Sequence, residues 1–435
     1  MANSLTIINR ERYRSVTPSS ETQATNAQRH VIKVLGAAQI LGGVGSASGA
    51  AVGALIVTDL ASETLSGLSS ASTVIGAALI AIPVSRLMNV RGRRPGLILA
   101  YALGVLGALL VVAGAILGSL LVALPGLIAL GGGMTANLQS RYAATDLASS
   151  NRRGSALATV VWATTIGSVV GPNLASTMGD LAERVSVPRL AGPYLLTIVV
   201  YLLAAGVIAL LLRPDPLLAA READAIAAGI SRREPPLRMK LGQVIRLITS
   251  IPPALLGLVA MSIGQAVMVA VMSMTPVHLK HGEASLVIIG FVISGHITGM
   301  YVASPLVGMA ADRFGRQPVI LGGSAILLTS FLIAGTASGH ESNQLAGGLF
   351  LLGLGWSCTL IAGSTLLTES VPVDTRPNVQ GAADLIMGTA GASAGLLSGV
   401  VVGFGSYALL NVLATLLVIP LIAASLRTSR QLTTA

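Results

Sequence analysis

The sequence predicts an all-α membrane protein of twelve transmembrane helices in two six-helix halves. Three observations carry this. Of 435 residues, 53% are hydrophobic and only 10% charged, whereas a soluble domain carries charge on about a quarter of its residues. Glycine is abundant, at 50 residues, and aromatic residues make up only 3%. Small residues let membrane helices approach closely, because lipid provides no hydrophobic drive for their association. Apolar segments long enough to cross a hydrocarbon core of about 30 Å recur near 32–57, 66–88, 95–117, 120–143, 155–178, 192–212, 253–278, 284–310, 318–338, 344–368, 378–402 and 406–426.

In chain order, residues 1–30 read as a polar tail with Arg10, Arg12, Arg14 and Arg29 and without the apolar run of a signal peptide. Residues 31–213 hold six spans. Residues 214–250 form a charged, proline-containing linker with a short surface helix expected over 216–229. Residues 251–427 hold six more spans, and 428–435 form a second tail.

With the N-terminus inside, all of the 27 Lys and Arg residues but Arg184, Arg189 and Lys280 fall at the cytoplasmic ends. That bias predicts both termini in the cytoplasm. It explains the net charge of +10 as topology, with the anionic lipid bilayer as nearest partner and no nucleic acid. A single Cys358 excludes an intramolecular disulfide and a cysteine-only metal cage. No histidine stands at a convincing spacing from a nucleophile and no phosphate-binding loop is present, so neither an enzyme nor a resident cofactor is expected. Gly131, Gly132 and Gly133 lie inside the fourth span and read as close packing.

An internal repeat supports the two halves. Residues 85–94 (SRLMNVRGRR) and 308–317 (GMAADRFGRQ) each follow the second span of their half. The fifth span holds Gly167 and Gly171, and the eleventh Gly391 and Gly395. Both landmarks recur at nearly one offset, as in transporters built from duplicated halves.

The run Gly308-x-x-x-Asp312-Arg313-x-Gly315-Arg316 resembles the cytoplasmic signature of the major facilitator superfamily. The resemblance covers the whole chain and implies that superfamily's fold, with Asp312, Arg313 and Arg316 acting as a gate. The first copy departs from the signature: Ser85, Asn89 and Val90 stand where Gly, Asp and Arg are usual. Gly167-Ser-Val-Val-Gly171-Pro172 resembles the fifth-helix motif of exporters in the superfamily. Asn173-Leu174-Ala175-Ser176 lacks the trailing glycines, so small-residue packing explains the segment equally well.

Few acids sit inside a span. Asp384 lies about two turns into the eleventh and is a candidate coupling residue; Asp59 and Glu63 lie at an outer loop. Helix seven instead carries Met268-x-x-x-Met272, and helix eight His296-x-x-x-Met300. A spacing of four puts each pair on one helical face. Counted from a turn near His281, Met268 and His296 lie at similar depth, about 20 Å in at 1.5 Å per residue. Thioethers with neutral imidazole suit Cu(I). Met274, His278 and His281 form a possible outer access ladder. Methionine also fills gaps in apolar cores, so the residues alone leave packing and metal binding both open.

The paired spacings are similar to those of the CcoA-like branch of the superfamily, whose members import copper across the bacterial inner membrane. That resemblance implies copper as the transported substrate, Met268, Met272, His296 and Met300 as its ligands, and a cytoplasmic copper acceptor or cytochrome oxidase assembly factor as recipient. It implies a monomer in the inner (plasma) membrane working by alternating access. Uptake would fall as pH drops through the His296 titration. Relatives in that branch use cysteine pairs, whereas here Cys358 stands alone, as a buried structural thiol or a transient soft ligand. The alternative is a proton-coupled transporter of a drug or another small organic solute such as a vitamin, motivated by Asp384 and the Gly-Pro segment of helix five.

Overall fold

The computed structural model describes residues 18–61, 65, 68–229 and 239–433. Most of the expected N-terminal tail, Glu63, residues 230–238 of the linker with Arg232, Arg233 and Arg238, and the last two residues lie outside the described residues. Among the described residues, twelve helices are long and apolar enough to span a membrane.

The first half comprises α1 (Pro18–Leu60), α2 (Leu68–Arg91), α3 (Arg93–Leu117), α4 (Leu120–Ala143), α5 (Arg153–Arg184) and α6 (Gly192–Leu211). Two short helices follow, α7 (Pro216–Ala227) and α8 (Leu241–Ser250). The second half comprises α9 (Pro252–His281), α10 (Leu286–Ile297), α11 (Ser304–Phe314), α12 (Arg316–Thr336), α13 (Ser342–Glu369), α14 (Arg376–Phe404) and α15 (Tyr407–Thr433). One apolar core gathers side chains from Val31 to Leu212. Another gathers side chains from Val244 to Val418, with Tyr142. A third joins the halves, setting Leu157 and Val161 of α5 against Val307, Ala311 and Ile361.

The sequence treats residues 284–310 as one continuous span. The structure breaks it: α10 and α11 are separated by a π-helical turn, Thr298–Val302. Pro305 stands at the start of α11. Its ring cannot accommodate the carbonyl four residues back and it has no N–H to donate, so the turn before it widens. Helix α8 also goes beyond the expectation, which placed one linker helix only. That expected helix is α7, whose start is capped: Asp215 accepts from the amides of Leu217 and Leu218.

The repeated turns adopt one backbone conformation. Gly92 has φ 92° and ψ 176°, and Gly315 has φ 94° and ψ 159°. An L-residue is strained there, which is why glycine stands at both positions. The motif's other landmark reads as packing. A Cβ on Gly167 would fall 2.6 Å from the backbone of Gly43, and one on Gly171 2.6 Å from the Val44 carbonyl. The two glycines thus let α5 cross α1 at close range.

Candidate functional site: a central cavity above a layered inter-half latch

A cavity of about 460 Å³ lies between the halves. Spans α1, α2, α4 and α5 line it from one side, and α9, the π turn, α13 and α14 from the other. Its wall carries the amides of Gln39, Asn137 and Gln265, the aromatics Tyr301 and Trp356, and the thioethers of Met134, Met268, Met300 and Met387. Trp356 donates to Gln265 at 2.7 Å, and its ring meets Tyr301 edge-on at 5.9 Å, so this aromatic corner is held in place before any ligand arrives.

Two charges complete the lining, Arg141 of α4 and Asp384 of α14. Their atoms lie 2.6 Å apart, with both side chains at most 2% exposed. Gln139 donates to the second carboxylate oxygen at 2.8 Å, and the Tyr142 hydroxyl approaches the first at 3.4 Å. Asp384 is therefore fully partnered, and all three partners come from the opposite half. Breaking one side of such a buried pair costs about 3–5 kcal/mol.

Beneath this pair, toward the end of the molecule where α2 meets α3, lies a second buried layer. Arg93 binds Asp146 through two atoms, at 2.7 and 3.2 Å, and reaches across to Gln380 at 2.6 Å. Ser85 packs on α14 so closely that a Cβ on Gly381 would fall 2.3 Å from its hydroxyl.

The latch lies at the same end of the molecule, on the repeated turn of the second half. Asp312, at the end of α11, accepts from the amides of Gly154 and Ser155 at 2.9 and 2.8 Å and from the Ser155 hydroxyl at 2.6 Å. It thereby caps the N-terminus of α5 across the half-to-half boundary, where free amides and the helix dipole favour a carboxylate. Gly154 and Gly308 make the approach possible: a Cβ on Gly308 would meet the Gly154 carbonyl at 2.7 Å. Arg316 pairs with Asp312 at 3.2 Å and with Glu369 at 2.8 Å, and also reaches the Ser150 carbonyl. Arg313 lies over the Phe314 ring instead.

On the degenerate side of the repeat, an arginine from the linker completes the layer. Arg221 of α7, 5% exposed, donates to the Asn89 carbonyl and side-chain oxygen, both at 2.6 Å. It also pairs with Asp374, in the turn before α14, at 3.1 Å. The short linker helix thus ties the first repeat of the motif to the second half.

The predicted copper ligands are placed unevenly. Met268 and Met300 line the cavity. His296, 1% exposed, sits instead in the crossing of α10 with α13, its Nδ1 2.9 Å from the Leu349 carbonyl. Glycines 299 and 353 make that crossing tight, since Cβ atoms there would meet the carbonyls of Phe350 and His296 at 2.1 and 2.3 Å. No partner of Nε2 is present among the described residues. Met272 and Met274 pack at the edge of the second-half core. His278 is stacked on Tyr407 at 4.4 Å and bonded to the Ala337 carbonyl, while His281 is exposed at the end of α9. Cys358 is buried against Gly323 of α12.

No motif in the sequence singles out Arg141, Gln139 or Arg221. A signal existed for the first: span 120–143 already enclosed Arg141, and a charge inside a span calls for a partner such as Asp384. Arg221 left no such signal, because its partners lie more than a hundred residues away along the chain.

Two pseudo-repeated helical halves around a central cavity, bridged by buried polar contacts toward one end, define a multi-pass membrane carrier. The sequence profile described as Major Facilitator Superfamily matches residues 34–294 and 279–433, and the chain belongs to that superfamily; it is a secondary transporter and not an enzyme. It is 38% identical over 411 residues to the "Uncharacterized MFS-type transporter YdeG" of Bacillus subtilis, covering 94% of each chain. It is 26% identical over 367 residues to the "Riboflavin transporter RfnT" of Brucella anthropi, covering 84% of this chain and 87% of that one. Among solved structures, FucP in the outward conformation, the E. coli fucose:proton symporter, superposes with a TM-score of 0.67 at 16% identity, over 91% of this chain and 98% of that one.

Proposed function

We propose that this chain is a proton-coupled secondary transporter of a small, largely uncharged organic solute of vitamin size. The observation that carries this is the Arg141–Asp384 pair, which is both part of the cavity wall and part of the bond between the halves. A carboxylate so placed can link two events. Protonation of Asp384 removes its charge and releases Arg141, and the halves are then free to separate at that layer. The cavity's amides, aromatics and thioethers suit a neutral solute with a few polar edges. The relative named as a riboflavin transporter supports the same class.

The basic end is placed in the cytoplasm, following the Lys and Arg bias. The latch then closes the cytoplasmic side, and the cavity faces outward. Copper import, read from the Met and His spacings, has less support, because of its four ligands only Met268 and Met300 line the cavity. Uptake of radiolabelled riboflavin into proteoliposomes under an inward proton gradient tests the proposal. The wild type should accumulate the solute. Asp384→Asn should lose accumulation yet keep exchange of internal for external solute, since a permanently neutral side chain mimics the protonated state. Accumulation by the variant at wild-type level would sink the coupling role. Radiocopper uptake that collapses in a Met268→Leu, Met300→Leu double variant would favour copper instead.

A further inference from the structure

A second space of about 410 Å³ adjoins the central cavity. Ser46, Ala50, Val74 and Met134 line both spaces. The remaining lining of the second comes from α1, α2, α4 and α6, so its walls belong entirely to the first half.

Its chemistry differs from that of the central floor. None of its lining residues is acidic, basic or imidazole-bearing. It presents two phenols, Tyr194 and Tyr201, with the hydroxyls of Ser69 and Thr73 and an apolar wall from Leu127 and Leu130. The phenols are fixed in orientation. Tyr194 donates to the Gly49 carbonyl at 3.1 Å. The Tyr201 hydroxyl lies 2.9 Å from that of Ser46, which also accepts from Asn137 at 3.3 Å. Glycine makes room for both rings on α1: a Cβ on Gly45 would fall 2.5 Å from the Tyr201 ring, and one on Gly49 3.2 Å from the Tyr194 ring.

Pre-set rings, hydroxyls and an apolar wall favour a flat ligand that combines an aromatic face with polar edges. A charged group there would lose its hydration without gaining a counter-charge. We propose that this side pocket is the subsite for the neutral, planar heteroaromatic end of the transported solute, whose flexible polar end extends past Ser46 and Asn137 into the central cavity. The inference rests on the organic-solute reading and deepens it. It also divides the labour between the halves: the ring travels with the first half, while Asp384, from the second, parts from Arg141.

The test uses purified full-length protein titrated with riboflavin and with lumichrome, the same ring system without the ribityl chain, read by quenching of flavin fluorescence. Ala54 lines the side pocket and not the central cavity. Ala54→Phe should weaken both ligands by about tenfold or more as the ring loses its space. Tyr194→Phe keeps the ring but removes the hydroxyl that anchors it to the Gly49 carbonyl, and should weaken both by about fivefold, the worth of one hydrogen bond. Ile226→Ala, exposed on α7 and lining neither space, should bind both within about twofold of wild type, because no contact to either part of the solute is lost. Absence of flavin binding by the wild type, as for a pocket that accepts only a lipid tail, overturns the proposal. So does equal binding by wild type and Ala54→Phe. Full accumulation by Asp384→Asn with intact flavin binding would instead overturn the coupling role and leave the subsite standing.

Discussion

Asp312 shows how much one side chain can hold at a helix end. It takes two backbone amides and a hydroxyl from α5 while also facing Arg316. A lost N-cap costs about 0.5–2 kcal/mol, and here the cap joins the two halves, which the proposed transport cycle parts. Asp312→Ala should therefore shift the conformational balance toward opening at the latch end by about twofold to thirtyfold. Spin labels at Leu121 and Phe404, exposed by 86% and 94% at the opposite end, read this as a gain in the population with the shorter separation. An unchanged distance distribution would remove Asp312 from the gate. The arginine beside it had equal standing in the sequence motif, yet Arg313 lies over Phe314, so Arg313→Ala should leave that distribution within error of wild type.

At the scale of elements, the paired glycine turns and the linker helix make separate predictions. Gly315→Ala meets only Pro318 at 3.6 Å, whereas a Cβ on Gly92 would fall 2.5 Å from the Asp215 carboxylate. Both substitutions pay the positive-φ strain, about 1–3 kcal/mol, but only Gly92→Ala must also displace the residue that caps α7 and accepts from the Arg94 amide at 2.8 Å. Thermal unfolding in detergent should rank Gly92→Ala below Gly315→Ala, and the reverse order would refute the strain argument. The α7 connection predicts an effect on rate. Asn89→Asp would add a charge beside Arg221, already 2.6 Å from its side-chain oxygen. The closed latch should tighten and turnover should slow, while Arg221→Met should loosen it. Both linker contacts were invisible in the sequence, where residues 216–229 read only as a surface helix. The broken eighth span was hidden for a similar reason. Pro305 was in plain view, but whether the helix kinks, ends or widens before it is settled by the neighbour it packs on, here Phe350 and Leu354 of α13.

For the whole molecule, charge distribution and layering predict one orientation. In a cysteine-free background, cysteine at Ser338, beyond α12, should react with a membrane-impermeant maleimide in intact cells. Cysteine at Ser149, before α5, should react only after the membrane is opened. The opposite pattern would invert the molecule and place the closed latch outside. Layering also predicts cooperativity. The Arg141–Asp384 pair, the Arg93–Gln380 contact and the Asp312 cap all cross the one boundary between the halves. Loosening any of them should favour the same opening movement, so Gln380→Ala and Asp312→Ala should shift the spin-label distribution in the same direction.

Composition, span length and the repeated glycine turns determined the class, the twelve crossings and the duplicated plan, because a bilayer imposes its thickness on each segment independently of the others. Only the tertiary structure decided which polar side chains meet. Asp384 was legible as a charge inside a span, but its partner Arg141 lies 243 residues earlier. Met268 and Met300 reach the shared cavity, while His296, one turn from Met300, is turned into a glycine-lined crossing with α13. Helical spacing fixes which residues share a face; which way that face points depends on where the neighbouring helices, distant in the chain, come to rest.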